Sequence, residues 1–248
     1  MIEILYQDDD LVAINKPPSL AVHEAPGKGS SVLRELREQH GFSGLTPVHR
    51  LDKDASGVLL LARSKEITSQ IQRHWDEVEK TYLALCNGAP PEESGLIEAP
   101  ILENQTGKPE RLASALRYYK EQNPGVEIPP LPEPKTSAVH PAGRPAQTEY
   151  RALEALRNAY GVFSLLEVKP RQGRMHQIRV HLKHIGCGLM FDPLYGSMHG
   201  PTFMFEDKPR MPLHASRLSI PDPRDEKKRI VIDAPLPKDF SELLNALK

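Results

Sequence analysis

Residues 57–63, GVLLLAR, restrict the fold more than any other segment. The aliphatic run from Val58 to Ala62 offers water no polar face, so the segment reads as a buried strand. It is the longest such run in the chain and far too short to span a bilayer. Other short apolar runs surround it. IEILY (2–6) and LVAIN (11–15) read as paired strands around the acidic turn at 7–10, and TYLALC (81–86) and GLIEAPIL (95–102) as further strands. Ser31 can cap a helix that runs to about His40 and is closed by Gly41. Ser64 opens a second helix, with Ile67, Ile71 and Trp75 at i, i+4 and i+8.

From about Asn123 to Pro145 seven prolines (124, 129, 130, 132, 134, 141 and 145) exclude regular helix or central strand, so a long surface loop is expected there. Order resumes with the strand-like QTEYRALEAL and GVFSLLEVK. A helix follows with Met175, Ile178, Leu182 and Ile185 on one face, stopped by Gly186. LHASRLSI (213–220) and RIVI (229–232) read as late strands, and Phe240, Leu243, Leu244 and Leu247 mark a C-terminal helix. Strands arrive in runs instead of strict βαβ alternation. The expected fold class is therefore α+β, with a mixed, largely antiparallel sheet and flanking helices. With no internal repeat and no readable linker, residues 1–248 are expected to form one domain.

Hydrophobic residues at 39% and charged residues at 26% are ordinary for a soluble globular chain. The N-terminus runs straight into a strand-like segment and then Asp8, Asp9 and Asp10, so no signal peptide is readable and no membrane partner is expected. The two cysteines, Cys86 and Cys187, form no CxxC pair, which argues against a cysteine zinc site and fits a reducing cytoplasm. The net charge of −1 does not by itself indicate a nucleic-acid partner. Its distribution does more. Residues 169–184, KPRQGRMHQIRVHLKH, hold Lys169, Arg171, Arg174, Arg179, Lys183 and three histidines without one acid. That is either a solvated helix face or a local phosphate-binding patch.

Three constellations can carry chemistry. HRLDKDASG (49–57) crowds polar groups against the buried strand, as an active-site edge does, although residues 54–57 are also good turn formers and Asp52 could be a surface acid. Lys80-Thr81-Tyr82 heads a strand, where a tyrosine is commonly a packing residue. In QGRMHQIRVHLKHIG (172–186) Arg179 falls at the edge of the apolar stripe, half-inserted, and so needs a carboxylate partner, for which Asp52 is the natural candidate. His176, His181 and His184 at i, i+5 and i+8 do not share one face, so no metal is expected.

HRLDKDASG, KTYLAL and GRMHQIRVHLKHIG followed by DPLYG resemble, in order, the motifs of the RluA family of pseudouridine synthases. NKPPSLAVH (15–23) is similar to that family's N-terminal motif and LHASRL (213–218) to its late strand, so the resemblance covers almost the whole chain. It implies a sheet split by a basic catalytic cleft and an isomerase that converts uridine in RNA to pseudouridine without cofactor or metal. By motif match it assigns Asp52 as the nucleophile, Arg179 as its paired cation, Tyr82 as the ring stacked on uracil, and Arg50 as the residue that fills the space left by a flipped-out uridine. His49, Arg174, His176 and Gln177 fall in the same motifs and are expected to bind substrate. The implied partner is a structured ribosomal or transfer RNA stem-loop, and the expected state is a monomer.

Three departures stand out. Ala55 replaces the family's usual threonine, the proline-rich stretch is longer than typical, and the chain is expected to begin directly at the catalytic domain, without the small RNA-binding domain many relatives carry. The rival reading is a non-catalytic RNA-binding module, or a metal-dependent hydrolase built on His49, Asp52 and the helix histidines.

Overall fold

The computed structural model describes residues 1–24, 29–105, 107–196 and 210–248. Its elements run, in order, β1 (Glu3–Gln7), β2 (Leu11–Lys16), α1 (Val32–His40), β3 (Thr46–Pro47), β4 (Ser56–Ala62), α2 (Lys65–Arg73) and β5 (Glu79–Asn87). Next come β6 (Ser94–Glu98), β7 (Ile101–Glu103), α3 (Pro109–Gln122), β8 (Ser137–Val139), β9 (Gln147–Asn158), β10 (Gly161–Pro170) and α4 (Gln177–His184). The chain ends with β11 (Leu213–Asp222), β12 (Asp225–Asp233) and α5 (Lys238–Ala246). The class is α+β and strand pairing is mostly antiparallel, as the runs of apolar residues predict.

The chain divides into two compact units, one of residues 1–84 with 203–248 and one of residues 85–202, and it passes from the first to the second inside β5. In the first unit β1, β2, β4, β11 and β5 lie side by side, β12 pairs with β11 and β3 with β4. All seven residues of β4 are buried, as an unbroken aliphatic run requires. Leu11, Ala13, Val58, Leu60, Ile71, Leu218 and Ile232 pack in one core. At Gly57 the backbone has φ +107°, and a Cβ there would lie 2.2 Å from the carbonyl oxygen of Ala215. Only glycine lets β4 run parallel beside β11 at this point, in the register Ser56↔His214 and Gly57↔Ala215. The helix caps follow local rules. Ser31 and Ser64 accept from the amides of Arg34 and Ile67, and Gly41 closes α1 in the left-handed conformation.

In the second unit β10, β9 and β6 form an antiparallel sheet, and β7 pairs with β8. Three expectations need correction here. The segment 95–102 is two strands, because Ala99-Pro100 interrupts it and β7 turns to a different partner. The proline-rich stretch contains the short strand β8 between Pro134 and Pro141, in its longest proline-free run. The helix α3, not anticipated above, precedes that stretch; it has no fully buried residue, and Leu112, Ala115, Leu116 and Tyr119 at i, i+3, i+4 and i+7 form its half-buried face.

Candidate active site

In the first unit the segment 49–57 leaves solvent by steps. Arg50 and Lys53 are exposed, His49, Asp52 and Asp54 half-buried, and Leu51 and Ala55 buried. The apolar pair anchors the loop while the amide of Ala55 donates to the Asp52 carbonyl at 3.2 Å, a tight turn that presents the Asp52 side chain. A buried cation fastens the turn from below. Lys16, fully buried at the end of β2, donates to the carbonyls of Pro17, Leu20 and Lys53 at 2.8, 2.8 and 2.9 Å. Burial pulls its pKa down to about 7 while Asp54 opposes the shift, and three carbonyl acceptors fit the three donors of an ammonium. The NKPP motif thus ties the loop after β2 to the residue following Asp52.

The far end of the turn is fixed by a second network. His214 Nε2 lies 3.3 Å from the Ala234 carbonyl, which can only accept, so that nitrogen carries the proton and Nδ1 accepts from Ser56 Oγ at 3.0 Å. Arg210 donates to the same Ser56 oxygen at 3.1 Å and pairs with Asp239. Burial holds the His214 imidazole below its usual range, which keeps it neutral in this role. His49 is likewise a framework residue. Its Nε2 accepts from the Leu60 amide at 3.1 Å, and its ring lies 5.8 Å from Trp75, over which Lys80 is placed at 5.4 Å. Burial and the Lys80 charge push the His49 pKa down to about 4.

Tyr82, on β5, is buried. Burial, and then the negative charge of Asp52, push its phenol well above the ordinary range, so it stays protonated at neutral pH. The electrostatic coupling places these two sequence-picked residues in one neighbourhood of the first unit.

In the second unit α4 is buried from Gln177 through Leu182 without a break. Arg179 is therefore interior, 5% exposed, and the half-inserted placement drawn from a single apolar stripe is corrected. Its carboxylate partner within this unit is Asp192, an acid the sequence reading did not pick. Arg179 Nε and Nη2 donate to Asp192 Oδ2 and Oδ1 at 2.8 and 2.7 Å, a bidentate pair. Burial raises the Asp192 carboxyl, but Arg179 and the amides of Leu194 and Tyr195 outweigh it and hold it below the usual carboxylate range. The Tyr195 ring lies 5.0 Å from the Arg179 guanidinium. The Tyr195 hydroxyl accepts from the Ser137 amide at 2.7 Å and lies 2.7 Å from His176 Nδ1, so its own proton is free to go to that nitrogen. The DPLYG motif is thus the mount for both Arg179 and His176.

Gln177 serves the frame. Its Oε1 accepts from the Arg174 amide, and its amide nitrogen donates to the Gln147 carbonyl and to Thr148 Oγ1 at 2.9 and 3.1 Å, which uses both N–H bonds. Thr148 passes its proton to His181 Nδ1 at 2.8 Å, and His181 Nε2 donates to the Ala99 carbonyl at 2.9 Å. Both nitrogens of His181 and the Nε2 of His49 are thus committed to structure, which takes two of the four histidines that the rival hydrolase reading draws on. Among the described residues no three His, Cys, Asp or Glu side chains are grouped to hold a metal ion. Arg174 keeps its guanidinium against the Pro145 carbonyl at 3.1 and 3.2 Å.

Comparison with known proteins gives concordant results. Residues 10–184 match the family model described as RNA pseudouridylate synthase. Ribosomal large subunit pseudouridine synthase C of Vibrio cholerae is 32% identical over 99% of this chain and 69% of its own length. Ribosomal large subunit pseudouridine synthase D of Haemophilus influenzae is 32% identical over 100% of this chain and 71% of its own. The solved structure of Human RNA Pseudouridylate Synthase Domain Containing 4 superposes with a TM-score of 0.70 at 25% identity, covering 99% of this chain and 92% of that one.

Proposed function

Because this chain belongs to the RNA pseudouridylate synthase family and isomerises uridine in RNA, we propose that Asp52 is the carboxylate that attacks the reacting nucleotide and that Tyr82 is the ring on which its uracil packs. The observation that carries this reading is geometric: a half-buried carboxylate at a turn pinned by Lys16, and a buried Tyr82 that stands opposite Ala215, the β11 residue paired with Gly57 at the end of the same segment. The reaction breaks the bond from ribose carbon 1′ to uracil nitrogen 1 and forms one from carbon 1′ to carbon 5; carbon 5 gives up a proton to solvent and nitrogen 1 takes one, so the product is an isomer of the substrate. An ionised carboxylate can attack sugar or base to form a covalent intermediate. In either case the adduct neutralises Asp52. That removes the smaller of the two causes that raise the Tyr82 phenol; burial, the larger, remains, so Tyr82 stays a neutral ring packed on the uracil throughout the reaction.

Arg50, exposed two residues before Asp52, is free to enter the stack that a flipped uridine leaves. Arg174 and His176 contact the RNA, and Arg179 acts as a cation preset by Asp192 and Tyr195. His49 and Gln177, chosen at first as substrate contacts, act by positioning their neighbours. The names of the bacterial relatives support large-subunit ribosomal RNA as the substrate class; the lower cost of flipping a base from a loop favours a stem-loop as the form presented, and the enzyme is proposed to act as a monomer. The two free, buried cysteines support a reducing, cytoplasmic setting.

The test is release of hydrogen from carbon 5 of uridine in large-subunit ribosomal RNA from a strain lacking this protein, in chelator and without added cofactor. The expected result is release at constant RNA mass. Liberation of free uracil, or a requirement for divalent metal in the chemical step, would contradict it.

A further inference from the structure

Residues 104–136 leave and return through one neck. Glu103 stands opposite Ser137 in the β7–β8 pair, and just beyond it the Asn104 amide donates to the Thr136 carbonyl at 2.9 Å and the Lys135 amide to the Asn104 carbonyl at 2.8 Å. Everything between, including α3, is an excursion from a closed hairpin. None of the chemistry above uses it. Between α3 and β7 lies a cavity of about 330 Å3, floored by Ile101, Leu102, Ala115 and Ala142. That is room for a nucleobase and part of its sugar. Arg111, Ser114 and Arg144 stand in its wall, with Glu110 as an acceptor for a base N–H.

Charge accounting separates the two acids from the two arginines. Glu103 is committed: it accepts from Arg144 at 2.7 Å, from the Met175 amide at 3.1 Å and from Gln105. Arg144 stays half-exposed despite that pair, and Arg111 is exposed and makes no ion pair among the described residues. The lining carries two acids and two arginines, so it has no net positive charge, but Arg111 is a guanidinium not taken by Glu103 and can meet a phosphate. Along α3, Arg111, Ser114 and Tyr118 fall at i, i+3 and i+7 on one stripe, and Tyr118, outside the cavity lining, is 66% exposed. An apolar cavity with an arginine and a hydroxyl in its wall, and an unburied aromatic ring one helical turn further along the same stripe, is the combination that holds unstacked nucleotides, with the phosphate on the cation and a base on the ring. Position agrees. Through Glu103 the cavity wall is bonded to Met175, and through the Pro145 carbonyl its arginine strand is bonded to Arg174, both in the motif proposed to contact RNA.

We propose that this cavity is a second nucleotide site, which takes a base of the substrate RNA other than the reacting uridine. The inference rests on the family assignment for its ligand class, and it assigns to the α3 excursion the selection of RNA sequence context.

The experiment measures binding of a fluorescein-labelled oligouridylate of about twelve nucleotides by anisotropy, for wild type, Arg111→Ala, Tyr118→Ala and Ser114→Leu. α3 has no buried residue, so melting should not move and folding does not confound the readout. Each variant is expected to weaken binding about five-fold or more, and Arg111→Ala to lower the salt dependence by about one ionic contact. Affinities within two-fold of wild type for all three would overturn the proposal, as would ultraviolet cross-links from 4-thiouridine RNA that bypass residues 101–118 altogether. Asp52→Asn is carried in parallel. Retained turnover in that variant would sink the Asp52 reading and leave the cavity untouched, whereas unchanged binding in the α3 variants sinks the cavity alone.

Discussion

In the first unit the charged residues of segment 49–57 stand on the solvent side of a strand whose seven residues are all buried, whereas in the second unit α4 carries its cation inside. The first arrangement holds Asp52 by backbone means. A glycine lets β4 approach β11, and a buried lysine gathers three carbonyls. The second holds Arg179 by side chains, through a bidentate carboxylate and the face of a tyrosine. The difference teaches where function and stability separate. A side chain presented by a backbone turn can be changed without disturbing what presents it. A side chain that is itself part of a buried polar network cannot, because each remaining partner loses its hydrogen bonds in a low dielectric.

The largest effect on folding is expected where that network breaks. Arg179→Met leaves the buried Asp192 carboxylate without its cation, and breaking such a pair costs about 3–5 kcal/mol. Thermal or denaturant melting should show that loss together with lost activity. Wild-type melting would mean that the pair is not what holds α4, and the contrast between the units would fail.

A smaller effect is expected at His49, which sharpens the contrast within the first unit. Its pKa is lowered from 6.5 to about 4, so between those values the unfolded chain binds a proton that the folded chain does not. The stabilisation is complete above pH 6.5 and is lost as pH falls toward 4, by an amount on the order of 1–3 kcal/mol. His49→Gln keeps an acceptor for the Leu60 amide but removes the titration, so its stability should fall less over this interval. Identical pH profiles for the two proteins would show that His49 is not held neutral by the fold.

The smallest effect on folding belongs to Arg50. Arg50→Ala should leave stability within about 0.5 kcal/mol, because the side chain is exposed. It should slow single-turnover reaction on a folded stem-loop far more than on a single-stranded oligomer of the same sequence, since only the stem-loop exacts a few kcal/mol for extrusion. Equal losses on both RNAs would retire the flipping role and leave a phosphate contact.

Much of this was legible because it is governed by local physics. An unbroken aliphatic run has to be buried, and Ser31, Ser64 and Gly41 cap their helices by interactions a few residues long. The motifs marked Asp52, Tyr82 and Arg179 by resemblance. What escaped was governed by distance or by the lack of a strong pattern. Asp192 lies 13 residues after Arg179, past the helix end and with no periodicity linking the two, and only the fold turns it back onto the guanidinium. The DPLYG motif that contains it was visible; its use as a mount was not. Arg179 was placed at a helix edge because one apolar stripe was assumed, while polar side chains of α4, Gln177 and His181 among them, are buried too and satisfied by Thr148 and by main-chain carbonyls. The α3 helix shows an apolar period, Leu112, Ala115, Leu116 and Tyr119 at i, i+3, i+4 and i+7, but the face is short and only half-buried, and it was passed over.

The central claim is that Asp52 does the chemistry. Asp52→Asn is nearly isosteric and removes the anionic nucleophile. Measured side by side with wild type, the variant should bind RNA within a few-fold and lose single-turnover release of the carbon 5 hydrogen by about a thousand-fold or more. Substantial release from a preparation free of wild-type enzyme would contradict the account at its base.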